Sequence, residues 1–416
     1  MRCAVCTPAS RQTDPSGHRL AQVNVGSRAA NLTHQNAGRL RRLLIATDAW
    51  HPQVNGVVRT LTSLARSLQG RGVAVEFLNP EGFFSLPVPT YPGLRWALPS
   101  PREVARRIEA AAPNAIHIAT EGPIGQLVRR YCVRRGLPFT TSYTTRFPEY
   151  IRARFPIPEQ WTYAGLRRFH SAATVTMVST RSLMRELAGR GFTNLGLWTR
   201  GVDIELFRPD RAIEIDLPRP RFVSVGRIAV EKNLEAFLSL DLPGTKIVIG
   251  HGPQEAELRQ RFPDAKFLGE MEGTRLAAHI AAADVFVFPS KTDTFGIVQL
   301  EALASGVPVA AYPVTGPKDV INGAPVGVLS ENLREACLGA LHVSREACRA
   351  FALENTWENS AGQFIEHANR VYTNTFEAAA RARGLGEARP AATTRQRLTV
   401  AAPRVGAMGG IAPRSQ

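Results

Sequence analysis

Short apolar runs alternate with stretches of helical period from residue 43 onward. The runs are bounded by turn residues, and between them apolar positions recur every three or four residues, as on one face of a helix. This alternation is typical of a parallel sheet covered by helices on both faces. The predicted strands of the first half are 43–48, 73–79, 115–120, 139–144 and 175–180, and its predicted helices include 59–72 and 101–113.

The same alternation restarts near residue 221. Its predicted strands are 221–226, 246–250, 284–290 and 307–313, and its predicted helices are 233–240, 254–262, 295–306 and a final stretch over 356–380. Two doubly wound units in one chain predict an α/β protein with a cleft between the units. We place a first Rossmann-like unit at 43–215 and a second at 216–380, with the proline-bearing segment 213–220 as the linker.

The net charge of +16 is concentrated at the two ends of the chain. Residues 1–42 and 381–416 each hold seven arginines against one acidic residue and lack apolar periodicity, so we predict disordered basic tails. The acid-poor start also resembles a transit peptide or an over-extended start. Between the tails the first unit is basic and the second acidic, which argues against nucleic acid as the partner, and no motif for binding RNA or DNA is present.

Membrane-spanning and secreted classes are disfavoured by the sequence. No apolar run approaches the roughly 20 residues that cross a bilayer, and the first thirty residues lack the apolar core of a secretory signal. Five scattered cysteines are too few for a disulfide framework, so we predict a cytoplasmic protein. Cys3 and Cys6 have the spacing of a zinc pair, but no second pair completes a site, and we predict no bound metal.

Two acidic residues, Asp293 and Glu301, lie at the end of a predicted buried strand and in the helix that follows it. Open parallel sheets bind ligands at this carboxyl edge. The free N–H groups of Gly296 and Ile297 at the start of the helix favour an anionic or hydroxyl-bearing group beside Asp293. The alternative is structural, with Asp293 as a capping residue and Glu301 as a solvated side chain.

A second polar cluster follows the strand 221–226. Arg227 and Lys232 place two cations at the mouth of the same cleft, and a planar fork together with a point charge suits a diphosphate. Alternatively they are surface cations neutralised by Glu231. The next strand ends in Gly250 and Gly252, but Glu255 replaces the third glycine of a dinucleotide-binding loop, which disfavours a dehydrogenase.

Taken together, these segments resemble a known enzyme family. The sequences VGRIAVEKN, IGHGPQEAEL and TDTFGIVQLEALASGVPVAA, with the upstream segments 48–61, 141–151 and 198–209, resemble the retaining GT-B glycosyltransferases of family four. The resemblance is strongest to GDP-mannose-dependent alpha-mannosyltransferases and to glycosyl and sulfoquinovosyl diacylglycerol synthases. It implies two Rossmann-like domains, a nucleotide-sugar bound mainly by the second, an acceptor on the first, and no obligatory metal or further cofactor.

The resemblance also implies roles for individual residues. Asp293 would hold sugar hydroxyls together with the N–H groups of Phe295 and Gly296, and Glu301 would hold the ribose. Arg227 and Lys232 would neutralise the leaving diphosphate. The other donor-side residues implied are Gly56, Arg200, Gly252, Gly273, Leu276 and Ile297.

The sequence departs from the family at two positions. Asp293 stands where most relatives have glutamate, which shortens the reach by one methylene group. Thr144 stands where many relatives have a histidine that contacts the transferred sugar. The shorter Asp293 leaves the placement of the sugar open. At Thr144, either a hydroxyl suffices, or the sugar specificity has changed, or the activity is reduced.

On the acceptor side, the resemblance points to Asp48, His51, Asn55, Thr144 and Arg146. The mechanism it implies is a front-face displacement with retention, in which the leaving phosphate accepts the proton of the acceptor hydroxyl and no protein base is required. Asp48 and His51 are candidate bases by their place at the end of the first strand, although His51 precedes a proline and equally fits a structural role.

Arginines interleave with aromatic residues in the segment 146–170. This pattern suits an anionic membrane surface, and equally a solvated helix face with aromatic residues in the core. We predict a retaining glycosyltransferase, peripheral on the inner face of the cytoplasmic membrane, that moves mannose from GDP-mannose to a lipid or lipid-linked acceptor. The alternatives are a UDP-sugar-dependent transferase to diacylglycerol, a nucleotide-sugar epimerase, and a non-catalytic binding protein.

Overall fold

The computed structural model describes residues 40–51, 56–88, 91–152 and 157–372. The predicted tails, together with Cys3 and Cys6, lie outside the described residues, except for residues 40–42. Leu40 is buried and a strand begins at Arg42, so the predicted boundary of the first tail at residue 42 is corrected.

Six parallel strands form a sheet in the first half of the described chain. Their spatial order is β2-β1-β5-β6-β7-β8. The strands are β1 (Arg42–Ala46), β2 (Ala74–Leu78), β5 (Ala115–Ile118), β6 (Thr140–Tyr143), β7 (Val175–Val178) and β8 (Leu195–Leu197). An antiparallel hairpin, β3 (Ser85–Val88) and β4 (Tyr91–Ala97), lies between β2 and β5 in the sequence.

A second sheet of six parallel strands follows in the order β11-β10-β9-β12-β13-β14. Its strands are β9 (Arg221–Val225), β10 (Thr245–Ile249), β11 (Lys266–Phe267), β12 (Val285–Phe288), β13 (Val309–Ala311) and β14 (Gly327–Leu329). Successive residues of β12 alternate between two cores, with Phe286 and Phe288 on one face and Val285 and Val287 on the other. A strand buried on both faces explains the continuous apolar run.

Helices cover both sheets in the described part of the chain. Those of the first half are α1 (Gly56–Gly70), α2 (Pro101–Ala111), α3 (Pro123–Arg135), α4 (Phe147–Arg152), α5 (Glu159–His170) and α6 (Arg181–Gly189). Those of the second half are α7 (Leu234–Leu238), α8 (Glu255–Arg261), α9 (Gly273–Ala281), α10 (Ile297–Ala304), α11 (Pro317–Ile321), α12 (Leu333–Ala340), α13 (Arg345–Leu353) and α14 (Trp357–Tyr372). Short 3₁₀ turns lie at Pro209–Arg211 and Val230–Lys232.

The last helix, α14, packs on the first sheet although it follows the second in sequence. Ala361, Phe364 and Ala368 are buried in the core that lies around β1 and α1. Ser360 accepts a hydrogen bond from Trp198 Nε1 (3.1 Å) and donates one to the carbonyl of Thr199 (2.8 Å). The apolar period of this stretch predicted a helix but did not show which sheet the helix covers. We assigned the helix to the second unit, whereas in the structure it completes the core of the first.

All nine predicted strands are present, and the fold class is confirmed as two parallel α/β sheets. The pattern missed the hairpin and the outer strands β8, β11 and β14, which have only two or three residues each. Such short edge strands carry too few residues for an alternating or continuous apolar signal.

Candidate functional site

The carboxyl ends of the two sheets face each other, and four contacts join them at the loop after β12 and at helices α10 and α11. Thr294 Oγ1 donates to the carbonyl of Thr144 (3.0 Å), and Ser179 Oγ donates to the carbonyl of Thr294 (3.0 Å). The N–H of Ser182 donates to Asp319 (2.8 Å), and Arg59 of α1 forms an ion pair with Glu301 of α10. The first unit therefore contacts the loop and helix that carry the two acidic residues.

Gly296 closes the loop before α10 with a backbone φ of +82°. A Cβ at this position would lie 2.7 Å from the ring of Phe288 and 2.6 Å from Gln299 Nε2, so only glycine fits. The backbone N–H groups of Phe295, Gly296 and Ile297 have no acceptor among the described residues. As predicted, they form a small group of free donors at the start of a helix.

Asp293 and Lys232 form an ion pair at the mouth of the cleft. Lys232 Nζ lies 2.7 and 2.8 Å from the two carboxylate oxygens. Lys232 ends the 3₁₀ turn after β9. Ser290 Oγ, in the loop after β12, donates a hydrogen bond to the carbonyl of Glu231 (3.1 Å) and so connects that loop to the turn. Arg227 and Lys232 line one small cavity with Gly226, Phe288 and Ser290, so the structure brings the two predicted cations together beside Asp293.

Glu301 is buried, with 2% of its surface exposed. One carboxylate oxygen accepts a hydrogen bond from Arg59, and Oε2 is buried without a hydrogen bond among the described residues. Burial raises the pKa of Glu301, and Arg59 acts in the opposite direction. The structural alternative of a solvated glutamate is therefore wrong.

The glycines after β10 serve close packing between loops. A Cβ on Gly250 would lie 1.9 Å from the carbonyl oxygen of Gly226, and one on Gly252 would lie 2.3 Å from that of Ile228. The Ile228 N–H in turn donates to the carbonyl of His251 (3.0 Å). The missing side chains thus let the loop after β10 lie against the loop that carries Arg227.

Two other predicted donor residues have buried side chains. Leu276 is 3% exposed and Phe295 is 8% exposed, and both pack in the core of the second sheet, which leaves only their backbone atoms for a ligand. Gly273 begins α9 with a φ of +55°. Gly56 is the exposed first residue of α1, and a Cβ added there would meet nothing within 4 Å.

Arg200 is a buried cation, only 5% exposed. Its Nη1 donates to the carbonyl of Trp198 (2.7 Å), and its guanidinium lies 4.1 Å from the centre of the Trp198 ring. No carboxylate lies within 4 Å of it among the described residues, and burial lowers its pKa to about 9. A buried guanidinium without an anionic partner is consistent with the predicted donor-side role.

Asp48 caps helix α3. Its two carboxylate oxygens accept hydrogen bonds from the N–H groups of Ile124 (2.8 Å) and Gly125 (3.3 Å) and from Thr120 Oγ1 (2.8 Å). These hydrogen bonds lower its pKa, but burial is the larger effect and raises it. The structure thus gives Asp48 a capping role for the loop and helix that follow β5, and its part as a candidate base or acceptor contact stays a prediction.

The remaining acceptor-side predictions have different outcomes. His51 is exposed beside Trp50, with the ring centres 5.5 Å apart, and Asn55 lies outside the described residues. Thr144 lies at the cleft, with its Oγ1 buried and unpaired among the described residues. Arg146 is held by Glu149 (3.0 Å) and by both carboxylate oxygens of Glu186 (3.1 and 2.8 Å), so it belongs to an internal ion cluster.

Sequence analysis did not identify two features of the structure. Arg59 pairs with a residue 242 positions away, and nothing in its local sequence marks that partner. His170 is fully buried, and its ring nitrogens contact Thr141 Oγ1 (2.9 Å) and Glu121 Oε1 (3.1 Å). The burial of His170 was signalled only by its place on the apolar face of α5.

The described residues contain no group of three or more His, Cys, Asp or Glu side chains suited to a metal ion. None of the helices in this part of the chain is long and apolar enough to span a bilayer.

Two family descriptions match the chain in succession. "Glycosyltransferase Family 4" matches residues 54–206, and "Glycosyl transferases group 1" matches residues 219–342. The first range contains β2–β8 and the second contains β9–β14, so each match covers most of one sheet.

Among similar proteins, a "GDP-mannose-dependent alpha-mannosyltransferase" of Mycobacterium tuberculosis is 27% identical over 366 residues, which cover 79% of this chain and 97% of that protein. The "Sulfoquinovosyl transferase SQD2" of Arabidopsis thaliana is 34% identical over 269 residues, which cover 60% of this chain and 53% of that protein. The chain thus spans nearly all of the first relative and about half of the second.

Solved structures show the same fold. The HepE protein of Anabaena in complex with UDP and glucose matches with a TM-score of 0.59 and 15% identity, over 79% of this chain and 99% of that one. The lipopolysaccharide glycosyltransferase WaaG matches with a TM-score of 0.56 and 16% identity, over 78% and 99%.

The capping role of Asp48 is testable. Asp48→Ala removes the acceptor for two backbone N–H groups, so we expect the free energy of unfolding, measured by urea denaturation, to fall by about 1–2 kcal/mol. Turnover per folded molecule should be unchanged within about twofold, whereas the loss of a general base would lower it by at least about a hundredfold.

Ser344→Ala is the matched control, because Ser344 caps α13 through the N–H of Ala347 (3.1 Å). A large loss of turnover in Asp48→Ala without such a loss in Ser344→Ala would contradict the capping role.

Proposed function

Because this chain belongs to the GT-B glycosyltransferases, with a family 4 domain followed by a group 1 domain, we propose that it transfers a hexose to a lipid or lipid-linked acceptor with retention. It is a glycosyltransferase that takes its sugar from a nucleotide-sugar. We assign the acceptor side to the first unit, with α14 packed on it, and the donor side to the second sheet and its helices, with mannose as the favoured sugar. The observation that carries this proposal is the cluster of Lys232, Arg227 and Asp293 at the carboxyl edge of the second sheet.

We place the donor's diphosphate beside the two cations of this cluster. Lys232 is paired with Asp293, and a diphosphate carries more charge than one carboxylate and competes for the same ammonium group. Binding then frees Asp293 to accept hydrogen bonds from sugar hydroxyls, beside the free N–H groups of Phe295 and Gly296. As the bond to the sugar breaks, negative charge grows on the leaving diphosphate, and Arg227 and Lys232 stabilise it without a metal ion.

Retention follows if the acceptor hydroxyl attacks from the face that the diphosphate leaves. The new bond forms between the acceptor oxygen and the anomeric carbon, the bond to the phosphate oxygen breaks, and that phosphate takes the proton. The structure supports a path without a protein base, because Asp48 is engaged as a helix cap. His51 is exposed and stacked edge-on against Trp50.

Two nucleotide-sugars are candidates for the donor. GDP-mannose is favoured by the relative that the chain matches over 97% of its length. A UDP-sugar is the alternative, since the sulfoquinovosyl transferase is more similar over a shorter span, and the Anabaena structure contains UDP and glucose. The aspartate at 293 and the threonine at 144 are the positions where sugar preference is expected to differ from that of relatives.

A membrane surface is the proposed source of the acceptor. Three large apolar side chains are exposed in α4, in α5 and between them: Trp161 is 69% exposed, Ile157 42% and Phe147 38%. Tyr163 and Phe169 of α5 are buried in the core. The aromatic residues of 146–170 therefore include both core residues and exposed residues. Large exposed apolar side chains beside arginines suit the interface of an anionic bilayer.

Donor binding can be measured by thermal unfolding. At a nucleotide concentration about 100-fold above its Kd, a ligand that binds only the folded state adds about 2.7 kcal/mol and raises Tm by several degrees. We expect one of GDP or UDP, and its mannose or glucose conjugate, to produce this shift in the wild type. Lys232→Ala should abolish it and lower sugar transfer by about a hundredfold or more.

Lys266→Ala is the matched control, because Lys266 is exposed at the start of a strand and therefore at the opposite edge of the parallel sheet. The absence of a shift with every nucleotide would contradict the proposal and favour a non-catalytic protein. Conversion of the donor without an acceptor would indicate an epimerase.

Membrane association is tested by sedimentation with vesicles of phosphatidylcholine containing about 30% phosphatidylglycerol. Loss of the Trp161 ring removes apolar area from the interface, so Trp161→Ala should weaken binding severalfold. Leu353→Ala, which removes a 45% exposed leucine from α13 in the second unit, should leave binding unchanged. Equal effects of the two substitutions would contradict this surface.

A further inference from the structure

Arg59 is a residue of the first unit that completes a site in the second. It lies in the first turn of α1, and its guanidinium contacts Oε1 of Glu301 in α10. The side chain of Glu301 is 3% exposed and that of Arg59 is 35% exposed, so the pair reaches from the cleft into the interior of the second unit. The resemblance gave Glu301 a role but gave none to Arg59.

The burial of Glu301 has an electrostatic consequence. A carboxylate held away from water favours its neutral form unless a cation lies beside it. Among the described residues, two charged groups shift the pKa of this carboxylate: Arg59 from α1 lowers it, and Asp203 from the loop after β8 raises it. Arg59 is thus the cation that favours the ionised form.

The geometry leaves half of the carboxylate for another group. Oε1 is occupied by Arg59, whereas Oε2 is buried and has no hydrogen bond among the described residues. A buried acceptor without a donor carries a desolvation cost, which a ligand hydroxyl can recover. Each oxygen of an ionised carboxylate can accept two hydrogen bonds, and a vicinal diol such as that of ribose supplies two hydroxyl donors.

We propose that Arg59 is a positioning residue for the donor, which holds Glu301 charged and oriented so that Oε2 binds the ribose diol of the nucleotide. This inference rests on the proposed donor site. It makes the nucleotide site dependent on both units, because Glu301 is ready to bind ribose only while α1 lies against α10. The hydrogen bonds of Thr294 with Thr144 and with Ser179 hold the loop before α10 to the first unit in the same way.

The test compares nucleotides with and without the diol. Dissociation constants are measured by calorimetry for GDP and 2′,3′-dideoxy-GDP, and for the corresponding UDP pair, with wild type, Arg59→Ala and Arg59→Lys. We expect Arg59→Ala to weaken the binding nucleotide about tenfold and its dideoxy analogue less than twofold. Arg59→Lys should recover most of the affinity, because the ammonium also keeps the carboxylate charged.

The dependence on pH gives a second readout. Affinity for the diol nucleotide should fall on the acidic side as Glu301 takes up a proton, and loss of Arg59 should move that fall to higher pH. The ratio to the dideoxy analogue isolates this effect, since both ligands carry the same phosphates. Arg66→Ala is the matched control, because Arg66 is an exposed arginine on the same helix.

The outcomes separate this inference from the proposed function. Equal weakening of the two nucleotides in Arg59→Ala would overturn it in favour of a structural role, and tighter binding of the diol nucleotide would show that Arg59 competes with ribose. If Arg59→Ala does not fold, unchanged affinity and an unchanged pH profile in Arg59→Gln would overturn it equally. Failure of the wild type to bind either nucleotide would overturn the donor site itself, and with it the role of Arg59.

Discussion

The cleft depends on the pairing of two carboxylates, of which Glu301 is buried and Asp293 is partly exposed. Asp293 is paired with Lys232 from the same unit, and Glu301 is paired with Arg59 from the other. An unpaired buried charge costs several kcal/mol, so Glu301 favours the arrangement in which α1 lies against α10. The ion pair of Lys232 and Asp293 connects the turn after β9 to the loop after β12.

The backbone makes this pairing available. Parallel strands bring their carboxyl ends to one edge, which places the turn with Lys232 beside the loop with Asp293. Gly250 and Gly252 allow neighbouring loops to lie in direct backbone contact, and Gly296 turns the chain into α10 with its first N–H groups free. Helix α14 follows the second sheet in sequence but packs on the first, since Phe364 and Ala368 are buried in the first core. The chain therefore returns from the second unit to the first.

Much of this architecture can be predicted from the sequence, because fully buried strands produce continuous apolar runs. The spacing of Asp293 and Glu301 and the cations after β9 also indicated a ligand site, and the structure brings Lys232 and Asp293 into contact. Sequence position does not show which partner satisfies a polar group. Asp48 follows a strand as a catalytic residue often does, yet it caps a helix 76 residues away.

The same limit explains the contacts that sequence position did not reveal. Arg146 is held by Glu186, 40 residues along the chain, and Arg59 by Glu301, 242 residues along it. Leu276 lies near a predicted ligand loop but on the apolar face of its helix, so its side chain packs in the core. Pairings of this kind are set by tertiary packing and leave no local pattern in the chain.

The central claim is that the nucleotide binds at the carboxyl edge of the second sheet. A crystal structure of the full chain with bound GDP or UDP tests it directly. The account predicts that the diphosphate lies within hydrogen-bond distance of Lys232 and Arg227, with Lys232 no longer paired to Asp293. A nucleotide bound elsewhere, with the Lys232–Asp293 ion pair intact, would contradict it.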